Sequence, residues 1–315
     1  MLRAWPAAPL LLLALSGPTE AAEACQFSQS GSTWTLVADC TVDSSIVLPD
    51  AVTLDGARHT IIALDPEGGF FRGGIIVSGG RSASVTNTVI SAVRLADVCQ
   101  QGNDRLRAIQ FNGASGVIRG NTIVNVNKGV SACQEGNAIE VRNADLSGPE
   151  ATVEISENLI EGFQKTGIVA SGNVDVEIRS NNIGPSSAQR LMVANGIQVG
   201  TGARATIEFN TVAGNSWAGD DTAATAILLV NTAPGTLVRS NVIVGNADVG
   251  IYVMANGARV ERNRLTDSGP DGRFDVGIGN YGEDNVFEGN SITGYSERYQ
   301  NVPEPRAGGT TVAAR

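Results

Sequence analysis

The sequence of 315 residues is poor in groups that carry common chemistry: two lysines (Lys128 and Lys165) against twenty arginines, one histidine (His59), three methionines and 5% aromatics. One histidine and four cysteines with no Cys-x-x-Cys pair leave too few soft ligands for a zinc site, and copper handling is disfavoured on the same count. Basic excess is also lacking. With 32 acidic against 22 basic residues and a formal charge of −10, and no basic stripe, nucleic acid is disfavoured as a partner. No apolar run reaches the roughly 20 residues of a membrane span. The longest, Ala4 to Leu15, contains two prolines. No long polar or proline-rich linker divides the chain, which therefore reads as one domain.

What is present begins with an export pattern. Arg3 supplies a positive start, Leu10 to Leu15 an apolar centre and Ala22-Glu23-Ala24 a small-residue cleavage site, so residues 1–24 are expected to be a signal peptide and the protein secreted or periplasmic. The mature chain then has 21 basic and 30 acidic residues. Four cysteines in an exported chain suggest two disulfides. Cys25 and Cys40 bracket an N-terminal segment. Cys99-Gln100-Gln101-Gly102-Asn103 and Cys133-Gln134-Glu135-Gly136-Asn137 are similar runs ahead of similar strands, so equivalent loops on stacked coils would pair Cys99 with Cys133.

An asparagine followed two residues later (one residue later at Asn182) by Ile, Val or Leu recurs at Asn87, Asn121, Asn158, Asn182, Asn210, Asn241, Asn263 and Asn290, at intervals of 22 to 37 residues. Between these asparagines lies a second motif, a small residue followed by Ile: Ala108-Ile109, Ala138-Ile139, Gly167-Ile168, Gly196-Ile197, Ala226-Ile227, Gly250-Ile251 and Gly277-Ile278. The segments alternate, are short and are rich in Val, Ile and Thr, which excludes a helical solenoid and predicts three strands per coil. Stacked coils pair each strand with its equivalent about 4.8 Å away. The asparagines are expected at the corners, where their residue type tolerates the left-handed conformation and an amide bonds its counterpart in the next coil.

The asparagine column with its Gly/Ala-Ile strands resembles the repeat of secreted right-handed parallel β-helix proteins, the pectin-lyase-like superfamily. This includes pectate lyases, polygalacturonases, alginate epimerases and periplasmic proteins of copper maturation. The segment Val52-Thr53-Leu54-Asp55-Gly56-Ala57-Arg58-His59-Thr60-Ile61 is similar to its first coil. The resemblance covers residues 40 to 295 and implies an all-β, single-domain right-handed parallel β-helix (β-solenoid) of about nine to ten coils. Residues 25–50 are expected to cap the N-terminal end of the helix over 51–302, and residues 303–315 to form a disordered tail.

By the same resemblance, a groove would follow the Gly/Ala-Ile strand, walled by the variable loops before it. Alternation turns Gln110, Asn112, Glu140, Arg142, Gln198, Leu228 and Tyr252 outward onto its floor. Glu140 and Arg142 share one strand face and are the candidate catalytic pair, with Lys165 as a candidate amine. Gln110, Asn112, Gln198, Trp217 and Tyr252 are candidate substrate-binding residues. An ordinary exposed ion pair is the plainer alternative for Glu140 and Arg142. Asp220 and Asp221, beside Trp217, are weak candidates for calcium, with a solvated loop tip as alternative. No other cofactor is expected. His59, in the first coil, reads as structural.

Known catalytic patterns are missing. There is no second histidine for a polygalacturonase, no Arg-x-Pro-x-x-Arg run of a pectate lyase and no histidine among aspartates as in alginate epimerases. The sequence thus predicts a monomer that binds or modifies an extracellular polysaccharide, as a lyase, epimerase or glycoside hydrolase if it is an enzyme. The alternative is a non-catalytic protein with a cell-envelope component as partner.

Overall fold

A computed structural model describes residues 24–302 apart from 93, 131 and 270–273, together with 311–312. The expected signal peptide and tail therefore lie outside the described residues, except for Ala24 and the short strand Thr311–Val312.

Alternating apolar segments close into three sheets. The first has twelve strands, from Phe27–Ser30 to Thr311–Val312; the second has ten, from Cys40–Val42 to Ser291–Thr293; the third has ten, from Ile46–Leu48 to Glu297–Gln300. The chain visits them in turn, so each strand pairs in parallel with the strand one coil away. This is the all-β, single-domain β-helix that the repeat predicts. Two pairings are antiparallel, one at each end: Phe27–Ser30 on Thr33–Leu36, and Thr311–Val312 on Val286–Glu288. Within the segment expected to cap the fold, Thr33–Leu36, Cys40–Val42 and Ile46–Leu48 already pair with the three sheets. Both disulfides are present as the spacing indicated, Cys25 with Cys40 and Cys99 with Cys133.

Identical side chains stack because the register is constant. Ile109, Ile139, Ile168, Ile197, Ile227 and Ile251 are direct neighbours in the third sheet and are fully buried. The small residue before each Ile also faces the interior. A Cβ on Gly167 would sit 2.8 Å from the Ile183 side chain and 2.6 Å from the Gly196 carbonyl oxygen. Two consecutive inward positions break the pleat, and the residue before them is turned outward.

The corner between the first and second sheets carries a buried amide ladder. Asn121, Asn158, Asn181, Asn210, Asn241, Asn263 and Asn290 are linked in order, each Nδ2 donating to the next Oδ1 at 2.9 to 3.0 Å. Two of the asparagines singled out in the repeat stand outside it. Asn182 is an exposed strand residue, and Asn181 holds the ladder position. Thr88 rather than Asn87 tops the column, its N–H donating to Asn121 Oδ1. Asn87 takes the left-handed conformation expected of it, but elsewhere that conformation falls on the residue before the ladder asparagine, at Gly120, Glu157, Ser180, Phe209, Ser240, Arg262 and Gly289. The ladder residue points inward to bond its neighbours, so the preceding residue makes the turn.

Candidate functional site

The outward residues of the third sheet form one continuous column: Gln110, Glu140, Val169, Gln198, Leu228 and Tyr252 occupy the same register position on successive strands. Asn112 and Arg142 lie in the next column. Around Glu140 the surface hollows into a cleft of about 370 Å³, lined by residues that include Arg105, Arg107, Arg142, Lys165 and Gln198. A second hollow of about 350 Å³ adjoins it, with Arg72, Gln110 and Asn112 in its lining and Arg142 shared between the two.

Glu140 is 7% exposed, and donors engage both of its oxygens. Oε2 accepts from Arg107 Nε at 2.8 Å and Asn137 Nδ2 at 2.9 Å; Oε1 accepts from Gln110 Nε2 at 3.4 Å and faces the Arg142 guanidinium at 3.6 Å. Arg107 in turn donates to the carbonyls of Gly102, Asn103 and Arg105. The loop wall is thereby fastened to the sheet through one guanidinium. Arg142 donates to Asn103 Oδ1 at 2.8 Å from the other side.

The wall is anchored from behind as well. The Cys99–Cys133 bridge ties it to the next coil, and the buried Glu135 carboxylate accepts from the N–H groups of Gln100 and Leu106, both at 2.7 Å. Lys128, with no exposed surface, lies 3.3 Å from Glu135 and donates to the Val98 carbonyl. One of the two lysines is therefore a structural counter-ion. The other, Lys165, is half-buried in the cleft and donates to the Val193 carbonyl. Its amine is held below the ordinary lysine value, chiefly by burial, with the positive charge of Arg105 adding to the effect.

Four cations thus line the cleft with one carboxylate. Arg105 Nε, Arg142 Nε and Asn137 Oδ1 are buried there without a hydrogen-bond partner. Concentrated unsatisfied polar atoms of this kind mark a place where polar groups are kept for something other than stability.

Of the residues read from the sequence, Glu140, Arg142, Lys165 and Gln198 come together, with Gln110 and Asn112 beside them. Trp217 and Tyr252 do not line this cleft. Trp217 lies in a loop, its indole N–H directed at Asp221 at 3.4 Å, and Tyr252 is four strands from Glu140. Among the described residues, no group of three or more His, Cys, Asp or Glu side chains gathers at Asp220 and Asp221. Such a group does form at Cys99, Cys133 and Glu135, but its sulfurs are bonded to each other and Glu135 is committed to Lys128 and two N–H groups. Arg105, Arg107 and Asn137 belong to the loops expected to wall the groove but were not singled out as site residues. The available signal was their place just ahead of the small-Ile motif, where strict alternation would turn Arg107 inward but the kink turns it outward.

The class defined by this architecture is a three-sheet parallel β-solenoid with a polar cleft on one face. The chain belongs to the right-handed β-helix family, whose model, described as a right handed beta helix region, matches residues 26–299. No curated protein matches the sequence. Similar solved structures include the Dettilon tailspike protein gp208, at 13% identity and a TM-score of 0.49 over 82% of this chain and 55% of that one. The chain thus spans little more than half of the tailspike. Others are the periplasmic alginate epimerase AlgG (13% identity, TM-score 0.39, 87% of this chain and 78% of that one) and PfbA, a surface adhesin of Streptococcus pneumoniae (11% identity, TM-score 0.38, 90% and 92%). At these identities the likeness concerns the fold.

Proposed function

We propose that this protein is an exported β-helix protein that binds an anionic, uronate-bearing polysaccharide in the cleft around Glu140. The observation that carries this reading is the charge of the cleft: Arg105, Arg107, Arg142 and Lys165 against one carboxylate, in a chain whose net charge is −10. Glu140 positions Arg107 and Arg142. Arg142 and Arg105 supply planar donors that suit a carboxylate, Lys165 a point charge, and Gln198 a hydroxyl partner.

A catalytic role rests on Lys165 if there is one. Glycoside hydrolysis calls for two carboxylates flanking the bond, and the cleft lining contains one. An amine biased toward its neutral form beside guanidinium groups suits removal of the acidic proton next to a uronate carboxylate, the first step of a lyase or an epimerase.

The test is a binding panel of polyuronates and neutral polysaccharides with the purified protein. Retention of polyuronates, weakened about tenfold or more by Arg142→Ala and by Lys165→Ala, is expected. Retention of neutral polymers alone overturns the reading. Ultraviolet absorbance from a new C=C bond, lost in Lys165→Ala, would identify a lyase.

A further inference from the structure

We infer that a second sugar subsite lies on the same sheet face, four strands C-terminal to Glu140, where Tyr252 and Tyr281 stack against a pyranose ring of the polymer held in the cleft. The inference rests on the polysaccharide reading above and extends it to the course of the bound chain.

The register sets the distance. From Glu140 the column runs through Val169, Gln198 and Leu228 to Tyr252, four strand spacings of about 4.8 Å or roughly 19 Å. None of the three side chains between the two ends is charged, so a polymer lying along the helix axis meets a weakly polar floor there. At Tyr252 the surface becomes aromatic. Its half-buried ring packs, as Phe274 does, against the cluster of Ala223, Val249 and Val276, and leans over Gly279, where a Cβ would be 3.2 Å from the ring. Tyr281 meets it edge to face, with centroids 5.3 Å apart at 82°, and remains 54% exposed.

Tyr281 is fixed at both ends. Its ring rests on Tyr252, and its hydroxyl donates to Gln300 Oε1 at 2.8 Å, while Gln300 Nε2 donates to Glu297 at 3.0 Å. An exposed aromatic held in this way offers an apolar face at little entropic cost, next to amide and carboxylate groups that suit hydroxyls. The C–H face of a pyranose ring with its flanking hydroxyls has the matching chemistry. Nothing in the Tyr281 contacts calls for a carboxylate on the sugar, so the subsite reads the ring and the cleft reads the charge.

The consequence is a length dependence, measurable by calorimetric titration with oligouronates of graded length. Short oligomers are expected to bind the wild type and Tyr281→Ala alike. Oligomers long enough to reach both ends should bind the wild type about tenfold tighter than short ones, and Tyr281→Ala should lose that gain while Tyr281→Phe keeps most of it. Arg142→Ala should weaken both lengths. If long oligomers show no gain, or Tyr281→Ala retains it, the subsite is overturned and the cleft stands. If no oligouronate of any length binds the wild type, both readings fall. Thermal melting of Tyr281→Ala, a change at an exposed side chain, checks that the variant is folded.

Discussion

At the scale of single residues, two neighbouring asparagines separate ladder from surface. Asn181 Oδ1 accepts from the Asn158 main-chain N–H and from Asn158 Nδ2, and Asn181 Nδ2 donates to Ile155 O and Asn210 Oδ1, all out of water. Asn181→Ala is expected to cost about 2–4 kcal/mol, since it strands buried donors and acceptors. Asn182→Ala, one residue on, should stay within about 0.5 kcal/mol; chemical denaturation of both variants checks the contrast. The repeat spacing made the asparagine column legible, and in the doublet Asn181-Asn182 the apolar residue two positions on, Ile183, marks Asn181 as the ladder member, which the stacking geometry bears out. Lys165 gives a second prediction. Because its amine lies below the ordinary 10.5, uronate affinity should be full while the amine is protonated and fall as pH rises through the lowered value, in a window beneath 10.5. The guanidinium groups facing it stay charged across that window, so Lys165→Arg should flatten the profile. Stability runs the other way: the unfolded chain keeps the proton that the folded one has released, so stability rises with pH over the same window.

At the scale of elements, strands and loops differ in how they are written. The strands repeat a short apolar code and were readable from it. The loops between the second and third sheets vary in length and, apart from the similar runs at Cys99 and Cys133, in sequence, yet several are held by a carboxylate that collects main-chain N–H groups. Asp65 takes those of Phe71 and Ala96, Glu135 those of Gln100 and Leu106, and Asp248 those of Trp217 and Ala224. Such partners are distant in sequence and vary in type, so although the loops were expected to wall the groove, the way the wall is held was not legible, nor was the place of Arg105 and Arg107 in it. The wall carries a prediction of its own. Glu135→Ala removes two N–H acceptors and leaves Lys128 buried without its counter-ion, which should cost about 3–5 kcal/mol. Because Arg105 is part of that wall, uronate binding should weaken along with the melting temperature. Lys128→Met with Glu135→Gln, which removes both charges but keeps an acceptor for only one of the two N–H groups, should recover part of the stability.

At the scale of the molecule, the arginines are distributed unevenly. On the outer face of the first sheet they pair with carboxylates, Arg179 with Glu154 at 2.6 Å and Glu177 at 3.0 Å, and Arg239 with Glu208 at 2.5 Å. In the cleft they outnumber them. A polyanion would therefore be drawn to one face of an otherwise repelling particle, and its association rate should fall steeply as salt is raised, which stopped-flow binding at two ionic strengths would show.

The amide ladder has a further implication, for the spacing between functions. Each rung is interchangeable with the next: Ser180 precedes Asn181 and Phe209 precedes Asn210 in the same left-handed turn, and the same holds at Ser240 and Asn241. Excising residues 210–240 would join Phe209 to Asn241 in an equivalent corner and take out the strand bearing Leu228. The distance from Glu140 to the tyrosines would then shorten by one graduation of about 4.8 Å. The solenoid is in this sense a ruler whose divisions are set by hydrogen bonding, and the separation of the two proposed subsites can change only in whole coils.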